Sequence, residues 1–137
     1  MTHHLPTTVK PLIGKTIKSL TRQASHAFLL AFEDSTEVTI YVLGDCCSHS
    51  IFYGSEEPID LKGAILEDIN EGVPTETSLK EAGEKAQLVD PDFFLEELSI
   101  WDIVITTSKG PIKLHHINSS NGYYDGYTEY KTNISSL

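Results

Sequence analysis

The sequence predicts an α+β fold, mainly antiparallel β-sheet built from two hairpins, with a short acidic part-helical insert. Three observations carry this. Two stretches of alternating apolar residues are each broken by a polar turn; each is followed by a polar corner and a further short strand; and the acid-rich segment between them holds a helix-start signal.

In "HAFLLAFEDSTEVTIYVL", Phe28, Leu30 and Phe32 alternate with Ala27, Leu29 and Ala31, so both faces are apolar and the strand belongs in the middle of a sheet. Glu33, Asp34, Ser35 and Thr36 form the turn, and Val38, Ile40 and Val42 give the returning strand a β-branched face. Gly44 ends it, and after Asp45-Cys46-Cys47 the run "HSIFYG" reads as a short strand. "PIDLKGAILEDINEGVP" shows no firm period and fits a short strand followed by a helical turn. In "TSLKEAGEKAQL", Ser78 and Glu81 have capping-box spacing and Leu79, Ala82 and Ala86 share one helical face. Gly83 weakens that helix by about 1 kcal/mol relative to Ala. Asp90 as N-cap and Pro91 at the first helical position predict another short helical segment in "DPDFFLEELS", an extended loop being the alternative. The second hairpin places Trp101, Ile103 and Ile105 on one face, turns at Ser-Lys-Gly-Pro, and returns with Ile112, Leu114 and His116 against Lys113, His115 and Ile117. The corner "NSSNGYYDGY" and a strand from about Tyr127 to Lys131 follow. The two halves share little literal identity, so hairpin, corner, strand is an architectural echo rather than a demonstrated repeat.

At 137 residues the chain fits a single domain over 1–137, with a loose N-terminus over 1–11 and the acidic insert over 56–97. No apolar run of signal-peptide or membrane-spanning length occurs, which leads us to expect a cytoplasmic protein with no membrane partner. The two cysteines are neighbours, cannot close an ordinary disulfide with each other, and read as reduced thiols.

The formal charge of −10 is concentrated: from Glu56 to Asp102 fourteen acids face three lysines, and elsewhere six acids face seven bases. Such a field opposes a long nucleic acid, whose affinity comes from phosphate neutralisation. It suits a basic protein partner, or keeps the protein soluble.

Two polar corners hold the candidate ligand-binding residues. The first is Asp45, Cys46, Cys47 and His49. Thiolate and imidazole suit zinc, but adjacent strand-end cysteines point to opposite sides and the missing ligands would have to come from His115 or His116, so no metal site is assigned. A cysteine nucleophile would need His49 or His116 as base, without any oxyanion loop in the sequence. The corner reads as the structural end of a strand. The second corner, Ser120, Asn121, Gly122, Tyr123 and Tyr124, combines a turn dipeptide with hydroxyls, an amide and flat rings, the composition of a recognition surface. Together with His116 it suits a small polar ligand, and Cys46 or Cys47 is expected to touch Tyr123 or Tyr124.

The combination of "IGKTI", "DCC", "LKGAIL" and "SNGYY" resembles a functionally uncharacterised family of small bacteriophage and bacterial proteins, over most of the chain outside about 71–97. Its motifs fall on Asp45, Cys46 and Cys47 and on Ser120 to Tyr124. Ser48 stands where members often carry an acid, and Asp125 where they often carry Ser. The resemblance implies the fold and a phage-like setting and brings no activity, cofactor or catalytic residue with it. The expectation is a non-enzymatic binding protein, a phage accessory protein that inhibits or sequesters a host factor through its acidic surface. The alternatives are a nucleotide-like ligand binder or sponge at the Asn-Gly-Tyr-Tyr corner, with a homo-oligomer supplying the interface, and a Cys/His hydrolase.

Overall fold

Strands form where the alternation predicts them, and two more form where a bulge hides it. In the computed structural model, which describes residues 8–44, 48–53, 60–72, 78–120 and 126–133, one turn of 3-10 helix (Lys10–Leu12) precedes β1 (Ile17–Ala24), β2 (Ala27–Phe32), β3 (Glu37–Gly44), β4 (Ser48–Tyr53) and β5 (Leu66–Gly72). The helix α1 (Leu79–Val89) leads to β6 (Glu97–Thr107), β7 (Gly110–Ser120) and β8 (Gly126–Thr132). Two antiparallel four-stranded sheets result, ordered β1-β2-β3-β8 and β4-β7-β6-β5. The fold is α+β and mainly antiparallel, the predicted hairpins are β2–β3 and β6–β7, and β2 is internal as its two apolar faces require.

Neither β1 nor β5 shows a period of two in the sequence, and the pairing explains why. Ile17 pairs with Phe32 and Ser19 with Ala31; Leu66 pairs with Thr107 and Asp68 with Thr106. Each strand uses two residues where its partner uses one, a β-bulge at Lys18 and at Glu67. Burial therefore falls at Ile17 and Leu20 and at Leu66 and Ile69, three residues apart.

The bulges are one part of an internal two-fold pattern. "LIGKTI" and "LKGAIL" bury Leu12 and Leu61 alike, and Gly14 and Gly63 both take positive φ, 91° and 85°. They bond reciprocally where Thr16 bridges Ile65. Gly14 N donates to Leu66 O at 2.8 Å and Gly63 N to Ile17 O at 2.9 Å; Ile17 N donates to Ala64 O at 2.7 Å and Leu66 N to Lys15 O at 3.0 Å. Each sheet is then three consecutive strands of one half plus the fourth strand of the other, β8 joining β3 and β4 joining β7. The register carries the correspondence onward, matching Arg22 with Glu71, Val42 with His116, Gly44 with Asn118, Ser50 with Gly126 and Phe52 with Thr128.

The facing sides of the sheets share one core. Leu30, Phe32, Val38 and Ile40 meet Phe52, Leu66, Ile103 and Ile105, each fully buried side chain contributing about 1.5–3 kcal/mol, and Phe28 meets Phe52 edge-on at 4.9 Å. On the outer side of the second sheet, Ala82 and Ala86 of α1 cover Ile51, Tyr53 and Ile117. Ser78 caps this helix as predicted, its Oγ accepting from Glu81 N at 3.1 Å. Gly83 does more than weaken it: a Cβ there would stand 3.2 Å from Leu95 Cδ2 and 3.3 Å from Leu98 Cδ1, so its bareness lets α1 sit close.

Two expectations change. The helical segment anticipated after Asp90 is a turn, because Phe93 N donates to Asp90 O and Asp92 N to Asp90 Oδ1, and irregular chain then runs into β6. The short strand read in the insert over 56–97 is β5, a full member of the second sheet. Over 1–11, the chain is anchored from Val9, which is fully buried beside Leu12. Among the described residues no helix is long and apolar enough to cross a membrane.

Gly14 and Gly63 have open space around a would-be Cβ, so replacing them tests backbone conformation alone. Gly14→Ala and Gly63→Ala should each lower unfolding free energy by about 1–2 kcal/mol, measured by urea denaturation. If one variant loses nothing, the two positions are not equivalent.

Candidate functional site

The chain passes between the sheets twice, at 44–48 and 120–126, and the strand ends at these crossings are paired. Gly44 lies opposite Gly126 in one sheet and Ser48 opposite Ser120 in the other. Asp45, Cys46, Cys47, Asn121, Gly122, Tyr123 and Tyr124 lie outside the described residues, and so does the expected contact of cysteine with tyrosine. His49, His116 and Ser120 are described.

At this end the inter-sheet core turns polar. Ser50, Asn118 and Ser120 continue the face that carries Phe52 and His116, and all of these except Phe52 are polar groups at most 4% exposed. Ser50 O–H donates to Asn118 Oδ1 at 2.9 Å, and Ser50 Oγ lies 2.8 Å from His116 Nε2. With the hydroxyl proton committed to Asn118, Nε2–H must donate to Ser50, which leaves the lone pair of the neutral ring on Nδ1. Burial pushes His116 down from its ordinary 6.5 to about 3. Gly126 on the opposing strand makes room for this network, and Gly44 makes room for Ser48. A Cβ on Gly126 would fall 2.3 Å from Ser50 Oγ, 2.9 Å from His116 Nε2 and 3.0 Å from Asn118 Oδ1; one on Gly44 would fall 2.5 Å from Ser48 Oγ. In the two-fold pattern, the glycine pair of one half answers the Asn118–Ser50 pair of the other.

Beside the network a pocket of about 260 Å³ opens between the sheets, lined by Glu71, Trp101, His116, Gly126, Tyr127 and Thr128. Pairing through β7 sets Trp101 next to His116, ring centroids 5.0 Å apart. The bulge at Glu67 turns Glu71 onto the inner face, where its Oε1 accepts from Thr128 Oγ1 of β8. Burial, and next the Glu71 carboxylate, hold the Tyr130 phenol well above its ordinary range. Sequence reasoning missed Glu71, Trp101 and Thr128 as site residues. A sole tryptophan beside a histidine-bearing strand was the available signal, while Glu71 was hidden by the broken period.

The outer face of the same sheet carries different groups. His49 packs against Phe93 at 5.2 Å between ring centroids and lies 3.8 Å from Asp90. It therefore sits on the opposite face from His116, and the two do not form one site with a shared ligand. Tyr53, His115 and Asp102 form one row across β4, β7 and β6, with His115 Nδ1 2.6 Å from Asp102 Oδ1 and the His115 ring stacked on Tyr53 at 5.2 Å. Desolvation, and then Asp102 and Glu81, raise the Tyr53 phenol.

Chemically, Ser50 and His116 look like a nucleophile and its base, but the proton runs the wrong way: Nε2 already carries hydrogen, and both groups are buried. Among the described residues no group of three His, Cys, Asp or Glu is placed to hold a metal ion. What the inner end offers is a pre-formed recess with the Trp101 ring as one wall and fixed acceptors beside it. This defines a strand-exchanged two-sheet β protein with a pocket at the crossing. A family model described as a domain of unknown function, DUF7448, matches residues 10–128, and the chain belongs to that family. No curated protein and no solved structure matches it.

Two outcomes test this geometry. Gly126→Ala should destabilise by about 2 kcal/mol or more through overpacking, and adding Ser50→Gly should restore part of the loss; an Ala tolerated freely would contradict the close approach. His116 also makes stability depend on pH. Below 6.5 the unfolded chain takes up a proton that the folded one refuses until about pH 3, so stability is fully present above 6.5 and falls by up to about 1.4 kcal/mol for each unit of acidification between the two values. Urea midpoints at pH 7 and pH 5 should show a steeper fall for the wild type than for His116→Gln. Equal slopes would mean that the folded protein protonates this ring.

Proposed function

We propose that the protein is a non-enzymatic binding protein that holds a small ligand in the pocket at the crossing of its two sheets. The observation that carries this reading is the recess itself, with Trp101 as a flat wall and His116 locked by Ser50 and Asn118 so that one ring nitrogen is presented as a fixed acceptor. A side chain held this rigidly binds at low entropic cost. The reading keeps the sequence-level expectation of a ligand site at the second corner, since Gly126 and Tyr127 of the lining directly follow it in the chain. It moves the candidate contacts inward, to Trp101, His116 and Glu71. The resemblance to small phage and bacterial proteins supports an accessory role in such a setting.

Capture of a basic host protein by the acidic middle is a second reading, favoured by the exposed carboxylates Glu81, Glu84, Glu96 and Glu97 on and after α1. Changing these four to Gln should weaken retention of basic proteins in a pull-down; undiminished retention would remove the charge argument.

The first reading is tested by a thermal-shift panel of nucleosides, nucleotides and small amines, followed by titration of the fluorescence of Trp101, the chain's single tryptophan. At least one compound should raise the melting temperature with rising concentration, and Trp101→Ala should abolish the shift. A panel that leaves both melting temperature and fluorescence unchanged at millimolar concentration contradicts a ligand pocket.

A further inference from the structure

The two halves treat equivalent positions in opposite ways, and the difference bears on what the pocket holds. In the first half the position is held by the chain's own cation. Arg22 Nη1 donates to the carbonyls of Ala24, Ser25 and Phe52 at 3.5, 3.4 and 3.3 Å, its guanidinium carbon lies 4.8 Å from the Phe28 ring centroid, and Phe52 N donates to Ser25 O at 2.8 Å. In the second half Arg22 is replaced by Glu71 and Phe52 by Thr128, which bond to each other, and the pocket opens beside them.

Resting on the reading that this pocket binds a small ligand, we propose that it takes a guanidinium group, stacked on Trp101 and paired with Glu71. The lining asks for a donor. Glu71 commits Oε1 to Thr128 and leaves Oε2 as an anionic acceptor, and His116 presents only a lone pair at Nδ1. Apart from this neutral imidazole, none of the six lining residues is basic. A phosphate or carboxylate would meet one full negative charge and one lone pair with no cation to offset them. A guanidinium is planar, carries five donors and no acceptor, stacks on aromatic faces and pairs with a carboxylate. The cation that Arg22 supplies internally in one half is supplied from outside in the other.

The same chemistry reaches the pocket from two sources, a free small molecule or an arginine side chain of a peptide. Trp101 fluorescence separates them when titrated with agmatine, with arginine amide and with a blocked Gly-Arg-Gly peptide. Citrulline amide, in which a neutral ureido group replaces the guanidinium, is the control. Arginine amide should bind at least tenfold more tightly than citrulline amide, and Glu71→Gln, whose amide oxygen still accepts from Thr128, should erase that preference without changing the melting temperature. Agmatine binding more tightly than the peptide points to a free metabolite as the source, and the reverse to a protein arginine. If citrulline amide or adenosine binds as well as arginine amide, the charge assignment is overturned while the pocket survives as a ligand site. If none of these, nor any compound of the earlier panel, perturbs Trp101, both the assignment and the pocket reading fall. The comparison of arginine amide with citrulline amide is made on the wild type, so it decides the matter even if Glu71→Gln folds poorly.

Discussion

The closeness of two backbones at Gly44 and Gly126 governs the rest of the molecule. Each half sends its fourth strand into the other half's sheet, and in the first sheet the strand ends next to the crossings pair as Gly44 with Gly126. Gly126 leaves a space that Ser50, Asn118 and His116 fill from the other sheet, and Gly44 leaves one for Ser48. Buried polar groups of this kind are costly unless each finds a partner. Here the hydroxyl links amide and imidazole in one chain, so the contact is directional as well as tight. An apolar plug would fill the space equally well but would not hold one ring nitrogen in a set orientation.

That orientation joins the fold to the site. Burial keeps His116 neutral, the Ser50 bond selects its tautomer, and the remaining nitrogen behaves as a carbonyl would, as an acceptor that never competes for a proton near neutrality. Glu71 adds a full charge to the same recess while tying β5 to β8. The strongly negative composition of the middle of the chain thus has a local expression inside the molecule as well as on its surface.

Much of the architecture was legible in the chain, and its limits have a physical origin. Hairpins read clearly because Phe28, Leu30 and Phe32, or Trp101, Ile103 and Ile105, keep a strict alternation. Strands β1 and β5 did not, because an extra residue near the start of each shifts the buried positions to a spacing of three, which imitates a helix. The same shift concealed Glu71, an acid whose place on an inner face follows only from the bulge before it. The repeat was in plain view as Leu-x-Gly-x-x-Ile and Leu-x-Gly-x-x-Leu, yet it is too short to stand out without the reciprocal bonds that give it meaning. Helix α1 was legible from its cap, since Ser78 acts within one turn. The opposed faces of His49 and His116 required the register of β4 against β7, a long-range fact that no local pattern carries.

Exchange of the fourth strands has a bearing on descent. A single four-stranded unit of this kind could not complete its own sheet, and two identical copies trading last strands would have made a symmetric dimer with two identical crossings. Joining such copies in one chain releases each crossing from having to match its twin. Here the β3–β8 junction carries a pair of bare glycines, and the β4–β7 junction carries Asn118 and Ser50 with His116 beside an open recess. Specialisation of that sort is denied to a homodimer, where any change that improves one crossing is imposed on both.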